Sequence, residues 1–255
     1  MQKNAHHYGL CAQSIIPVRN TANPSGEQVT QLLYGDLYKV TDHRKEWVKI
    51  RVTYDGTEGW IPKNQSHALE KEDYQALKSA REPAHASDLI SFVSMGNNQL
   101  IPVLLGSVVH FADHLKHDYE GELVRGTLEK SHLLNTAFLY LNAPYQWGGK
   151  TPFGIDASGL AQMVYKINGY KLPRNAWDQA LLGEVLSFVE ESNPGDLAFF
   201  DDEEGKITHV GLIMKDNHVI HAHGKVRIDR LDQSGIYDQE QGRYTHRLRV
   251  IKKIL

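Results

Sequence analysis

The residues best suited to chemistry stand at the start of one predicted helix, in the stretch GKTPFGIDASGLAQMVY from 149 to 165. Asp156 and Ser158 can each cap that helix, and the glycines just before it allow tight turns. Backbone N–H groups and the positive end of the helix dipole favour an anion in the first turn. A cysteine at position 157 would therefore be partly thiolate. The chain instead has Ala157, which carries no nucleophile.

Two histidines lie downstream in apolar strand text, His209 in THVGLIM and His221 in VIHAHG. Either one alone is more typical of a structural histidine than of a catalytic one. Together with a nucleophile at a helix start, they would supply the base and the orienting group of a thiol peptidase. His221 and His223 point to the same face of a strand, so alternation does not choose between them.

The C-terminal part of the chain must place these residues, and its periodicity changes from helix to strand. SHLLNTAFLYLNAPY has the spacing of an amphipathic helix, with apolar positions at Leu133, Leu134, Ala137, Phe138 and Leu141. A second helix is predicted over 156–168, with one apolar face formed by Leu160, Met163, Val164 and Ile167. The segments HVGLIM, HVIHAH and RLRVIKKI then predict strands. Helices followed by an antiparallel sheet make an α+β domain over 131–255.

Short alternating runs between Ile15 and Pro62 predict a small all-β barrel at 1–65, with Trp47 and Trp60 supplying most of its core. A polar helical linker is expected next, ending near Pro83. Two apolar runs around GNN then predict a hairpin and a second small β unit, within 66–130. The border to the α+β domain falls near Glu129.

Charge and composition exclude several classes of partner. The net charge is −3, with 28 basic and 31 acidic residues interspersed, so neither nucleic acid nor an anionic membrane surface is an expected partner. No apolar run is long enough to cross a bilayer. A cytoplasmic location is expected if the chain is complete, and a periplasmic or extracellular one if a leader has been removed. The single cysteine, Cys11, allows no internal disulfide and is expected to be a buried small hydrophobe.

Several motifs in order carry a family resemblance: PYQWGG, GIDxSGL, LPRxxxxQ, GDLxFF and THVGLIM. Residues 131–255 resemble the NlpC-type, papain-like cysteine peptidases that act on bacterial cell-wall peptides. Residues 1–65 and 66–130 resemble the bacterial SH3-like domains that accompany these peptidases. This arrangement is similar to the γ-D-glutamyl-L-diamino acid endopeptidase branch. The implied fold is a papain-like α+β domain behind two small SH3-like barrels.

The resemblance implies a role for particular positions. The family's nucleophilic cysteine falls at Ala157, its base at His209 and its third polar residue at His221. Backbone N–H groups at the helix start, aided by Tyr145, would stabilise the tetrahedral oxygen. The implied reaction cleaves the amide between γ-D-glutamate and meso-diaminopimelate or L-lysine and releases L-Ala-γ-D-Glu.

The resemblance also implies a site that recognises the free N-terminal amine of a small muropeptide. Asp156 and Ser158 match the family positions of its acidic wall, although helix capping explains them equally simply. Glu27 matches the acidic residue of the first SH3-like domain, or else is a solvated carboxylate. Relatives often carry a tyrosine two residues before GW, where this chain has Thr57, so Tyr54 is the nearest candidate for that contact.

Ala157 allows two interpretations, and both involve the same residues around position 157. We interpret the chain as an inactive Cys-to-Ala variant of an active enzyme, because His209 and His221 are both present. The alternative is a natural pseudoenzyme that acts as a muropeptide-binding module. A metal hydrolase could use His209, His221 and His223, but the carboxylates at 201–204 are typical of a solvated loop, so no metal or cofactor is expected. The chain is expected to be a monomer.

Overall fold

The computed structural model describes residues 7–80, 82–96 and 99–255, which form two compact units. Unit 1 is Met1–Gly126 and unit 2 is Thr127–Leu255. The border predicted between 65 and 66 lies inside unit 1, and the one predicted between 130 and 131 lies just after the border of the units. The division of unit 1 into two SH3-like domains therefore stays a prediction.

Unit 1 begins with a seven-stranded antiparallel sheet in the order β3-β2-β6-β5-β4-β1-β7. Its strands are β1 (Tyr8–Leu10), β2 (Ile15–Arg19), β3 (Gln28–Leu33), β4 (Leu37–His43), β5 (Trp47–Val52), β6 (Glu58–Pro62) and β7 (His67–Leu69). The alternation in EWVKIRV is confirmed, because Val48, Ile50 and Val52 point into the core.

The tryptophans contribute less to this core than the sequence predicts. Trp60 is buried, with the Arg44 guanidinium 4.6 Å from the centroid of its ring, but Trp47 is only half-buried. The core is built from aliphatic side chains together with Tyr38 and Cys11, which is fully buried as expected.

Among the described residues, the rest of unit 1 contains one α-helix and two small sheets. The predicted linker helix is confirmed only as α1 (Lys71–Lys78), well before Pro83. The strands are β8 (His85–Ala86), β9 (Ile90–Met95), β10 (Leu100–Leu104), β11 (His117–Glu120) and β12 (Leu123–Val124), in sheets β10-β9-β11 and β12-β8. β9 and β10 pair as the hairpin pattern predicts, while Asn97 and Asn98 of its turn lie outside the described residues.

Unit 2 has three helices and a sheet that closes on itself. The helices are α2 (His132–Phe138), α3 (Ala157–Ile167) and α4 (Ala176–Gln179). A hairpin of β13 (Lys150–Thr151) and β14 (Gly154–Ile155) precedes α3. The remaining strands are β15 (Glu184–Leu186), β16 (Leu197–Asp201), β17 (Ile207–Ile213), β18 (His218–His223), β19 (Lys225–Asp232), β20 (Gly235–Asp238) and β21 (Arg243–Lys253).

The order of this sheet is β15-β21-β16-β17-β18-β19-β20, and β20 also pairs with β21. The strands from β16 to β21 therefore form a closed antiparallel barrel, which leaves no free edge among them. β21, the last strand in the chain, pairs with both β16 and β20, and its His246 ring contacts rings on β17 and β18. This α+β fold is the one that the sequence predicts.

Helix α3 packs against β17, β18 and α2. Its predicted apolar face is confirmed, because Leu160, Met163 and Val164 are fully buried and Ile167 nearly so. The prediction for α2 is wrong in part: the helix ends at Phe138, which is 43% exposed, and Leu141 lies beyond it. In the described parts of the chain, no helix combines the length and apolar character needed to cross a membrane.

Candidate active site

Three neighbouring strands of the barrel place three polar side chains in one buried line. His209 comes from β17, His221 from β18 and Asp229 from β19. Nε2 of His209 lies 2.9 Å from Nδ1 of His221, and Nε2 of His221 lies 2.8 Å from Oδ2 of Asp229. All three residues are buried. The structure therefore brings the two predicted histidines together and adds a carboxylate that sequence analysis missed.

The carboxylate fixes which nitrogen of each ring carries a proton. Asp229 accepts a hydrogen bond from Nε2–H of His221, so Nδ1 of His221 is left as an acceptor. His209 can then donate only from Nε2–H, which leaves the lone pair on its own Nδ1. A base with a fixed tautomer and an available lone pair is what general-base chemistry needs.

Asp229 is itself held by Arg227. The guanidinium donates from Nη2 to Oδ1 of Asp229 at 2.8 Å, and Nη2 also lies 3.1 Å from Oδ1 of the buried Asp238. Burial raises the pKa of Asp229, but hydrogen bonds from His221 and Arg227 outweigh it and hold the pKa below its usual value. The carboxylate is therefore ionised, and it can accept the hydrogen bond from Nε2–H of His221.

Burial also keeps the histidines neutral. It lowers the pKa of His209 well below the usual value, and repulsion from His221 and His246 lowers it further. Burial lowers the pKa of His221 as well, and its contacts with Asp229 offset only part of that change. His209 therefore rests as an uncharged imidazole, the form that can accept a proton.

His246 is a further residue that sequence analysis missed. It lies on β21, and its ring stacks on that of His209 with centroids 4.0 Å apart. Its Nδ1 lies 2.9 Å from Oγ1 of Thr245, and burial lowers its pKa to about 3. The alternative that the sequence left open, His223, is exposed, with its ring 4.9 Å from that of His246. The hydrogen bond with His209 thus selects His221.

Asp156 is confirmed as the cap of α3, whereas Ser158 is the second residue of the helix and does not cap it. Its Oδ1 accepts from the N–H of Gly159 at 2.7 Å, and its Oδ2 accepts from the N–H of Gly148 at 2.8 Å. Arg174 forms a two-point contact with the same carboxylate, with Nη1 2.9 Å from Oδ1 and Nη2 2.6 Å from Oδ2. Nη1 also donates to Oγ of Ser158 at 2.9 Å.

The buried ion pair gives Asp156 and Ser158 a structural role at the start of α3. Both side chains hold the start of α3 in place, and Arg174 compensates the charge of Asp156. A role for either residue in binding a substrate amine stays a prediction. Arg174 belongs to the LPRxxxxQ motif, but no role was assigned to it there. Gln179 of the same motif donates from Nε2 to the carbonyl of Ser158 at 3.0 Å.

Ala157 is the first residue of α3 and is 6% exposed. Tyr145 lies on the segment before it and is 40% exposed. Burial and the charge of Asp156 raise the pKa of Tyr145, so its hydroxyl is protonated and can donate. Cys11, the single thiol of the sequence, is buried in unit 1.

Glu27 and Tyr54 belong to unit 1, and their substrate roles stay predictions. Oε2 of Glu27 accepts from Nδ2 of Asn20 at 3.3 Å, and Tyr54 is partly buried against the barrel core. The expectation of a solvated loop at 201–204 is wrong for Asp201. That residue ends β16, is buried, and accepts from Nε of Arg247 at 2.8 Å.

Removing Arg174 tests the role of the buried ion pair. We expect Arg174→Met to lower the free energy of unfolding of unit 2 by about 3–5 kcal/mol, because the Asp156 carboxylate stays buried without its partner. Urea unfolding followed by circular dichroism measures this change. Arg51→Met is the control, since Arg51 and Glu58 are 57% and 34% exposed, and it should cost less than about 1 kcal/mol. Equal losses in the two variants would contradict the assignment.

Two protein families match this chain. The NlpC/P60 family matches residues 142–244, and the bacterial dipeptidyl-peptidase SH3 domain matches residues 18–65. Among curated relatives, the γ-D-glutamyl-L-lysine dipeptidyl-peptidase of Bacillus subtilis is 28% identical over 84% of this chain and 74% of its own length. Dipeptidyl-peptidase 6 of Lysinibacillus sphaericus is 24% identical over 84% of this chain and 88% of its own length.

Solved structures show the same fold. An NlpC/P60 family protein from Bacillus cereus has a TM-score of 0.79, with 19% identity over 97% of this chain and 99% of that one. An NlpC/P60 endopeptidase from Photobacterium damselae has a TM-score of 0.64, with 18% identity over 97% of this chain and 71% of that one. The chain thus carries an NlpC/P60 domain at residues 142–244, preceded in the sequence by a bacterial dipeptidyl-peptidase SH3 domain at residues 18–65.

Proposed function

We propose that this chain binds small muropeptides that begin with a free L-Ala, and that its site is built to cleave the bond between γ-D-glutamate and the following diamino acid. The observation that carries this proposal is the buried line from His209 through His221 to Asp229, in a barrel against which α3 packs. Two of the relatives are γ-D-glutamyl-L-lysine dipeptidyl-peptidases, which supports the substrate class.

With a cysteine at position 157, the reaction would follow the chemistry of thiol peptidases. The sulfur would attack the carbonyl carbon of the γ-D-glutamyl amide after losing its proton to His209. Backbone N–H groups at the start of α3 would stabilise the tetrahedral oxygen, with Tyr145 as a further donor. His209 would return the proton to the departing amine as the C–N bond breaks. Water would then attack the thioester and release L-Ala-γ-D-Glu.

Ala157 prevents this series of reaction steps from starting. Without a sulfur at the start of α3 no acyl-enzyme forms, and the buried Cys11 offers no replacement. We propose that the chain as it stands binds its peptide without hydrolysing it, as an inactive Cys-to-Ala variant. A natural pseudoenzyme would bind the same peptides, so the two proposals differ only in what a restored cysteine does.

Restoring the thiol separates these two proposals. We expect Ala157→Cys to cleave L-Ala-γ-D-Glu-diaminopimelate, because His209 already lies in a hydrogen-bonded line with His221 and Asp229. Mass spectrometry should detect L-Ala-γ-D-Glu as the product. The N-acetylated peptide is the control and should remain intact. If Ala157→Cys cleaves no muropeptide with a free amine, the chain is a pseudoenzyme.

The carboxylate beside His221 can be tested in the same background. We expect Asp229→Asn, added to Ala157→Cys, to lower turnover by roughly 10²–10⁴-fold, because an amide can stabilise the wrong tautomer, as in serine-protease triads. Turnover is measured by release of L-Ala-γ-D-Glu. Asp216→Asn is the matched control, since Asp216 is exposed in the turn between β17 and β18. Equal turnover in the two variants would remove Asp229 from the mechanism.

A further inference from the structure

We propose that His209, His221 and His246 form a binding site for a divalent transition metal, with Zn²⁺ as the expected ion. One ring nitrogen of each histidine can serve as a ligand, and these nitrogens all lie within 4.8 Å of one another. Imidazole nitrogen is a preferred ligand of Zn²⁺. The sequence alone suggests His209, His221 and His223 as possible ligands, whereas the fold of the barrel places His246 in the group instead of His223.

The distances are compatible with one shared ion. Zinc–nitrogen bonds of about 2.0–2.1 Å in tetrahedral geometry put two ligand nitrogens about 3.3 Å apart. His209 and His221 are closer than this, at 2.9 Å, because they share a hydrogen bond, and the whole group extends to at most 4.8 Å. Small rotations of the rings would therefore bring the three nitrogens to metal-binding separations.

In His221 and His246, the ring nitrogen that would not bind the ion has a hydrogen-bond partner. These partners favour a metal site over a chance cluster of histidines. Nε2 of His221 is bound to Asp229, which leaves Nδ1 facing His209. Nδ1 of His246 lies 2.9 Å from the Thr245 hydroxyl, which leaves its Nε2 as the ligand atom. Metal-binding histidines characteristically donate their second ring N–H to a carboxylate or another oxygen, because this fixes the ring and increases its basicity.

A negative charge also lies near this site. The ionised Asp229 lies one imidazole away from the proposed ion, as in carboxylate–histidine–zinc arrangements. His209 and His221 are buried and His246 is partly buried, so solvent competes little for the ion.

Metal binding and peptidase chemistry would exclude each other. The ion would replace the hydrogen bond between His209 and His221, and His209 would have to move its proton from Nε2 to Nδ1 in order to bind through Nε2. The lone pair needed for general-base chemistry would then be lost. Binding itself needs only the histidines, so it is independent of the proposed peptidase function.

The site can be tested in the chain as it stands. After treatment with a chelator, the protein is titrated with Zn²⁺ by calorimetry and with Co²⁺ by visible absorption. We expect one ion per chain and the absorption spectrum of tetrahedral Co²⁺. His246→Gln should weaken binding by at least about 10-fold. Loss of a residue that only hydrogen-bonds to a ligand already costs that much, and loss of a ligand should cost no less. His218→Gln is the matched control, because His218 lies on β18 outside the group and should leave affinity unchanged.

A second measurement keeps the proposal falsifiable if His246→Gln does not fold. In the unaltered chain, Zn²⁺ should shift the ring ¹⁵N resonances of His209, His221 and His246. Thr245→Val keeps all three ligands and should weaken binding by about 10–100-fold through loss of the outer hydrogen bond. The proposal is wrong if no ion binds, if other histidines shift instead, or if His246→Gln binds as tightly as His218→Gln.

Discussion

The hydrogen bond between Asp229 and His221 is the interaction on which the whole site depends. A buried carboxylate beside an imidazole decides where the proton of that imidazole lies, and this decides the donor and acceptor roles of His209. Arg227 keeps the carboxylate ionised and in place, so the arrangement does not rely on solvent. Consecutive strands of a closed barrel carry these residues, and their spacing is set by the sheet rather than by mobile loops.

A second buried ion pair, between Asp156 and Arg174, fixes the position of the start of α3. Asp156 caps α3 and is held by the Arg174 guanidinium, so the first turn of the helix has a defined position and position 157 lies on a rigid element. One ion pair thus holds the start of α3, and the other, between Arg227 and Asp229, holds the line of polar side chains on the barrel strands. This organisation supports our proposal that Ala157 stands at the position of a nucleophilic cysteine.

Sequence reasoning predicted what local patterns determine. The apolar face of α3, the cap at Asp156 and the strand positions of His209 and His221 follow from periodicity and residue type. Asp229, His246 and Arg174 could not be found in this way, because their roles depend on which strands become neighbours when the barrel closes and which loop packs on the helix start. The same limit explains why alternation could not separate His221 from His223. The apolar spacing also extends to Leu141, although the helix ends before it.

The protonation pattern of His221 tests this account most directly, and it can be read without any catalysis. In the metal-free chain with Ala157, ¹⁵N NMR of the histidine rings reports which nitrogen carries the proton. The account predicts that His221 is neutral and protonated on Nε2, towards Asp229, while His209 is protonated on Nε2 with its lone pair on Nδ1. A His221 protonated on Nδ1 would contradict it, because His209 could then no longer donate to that ring.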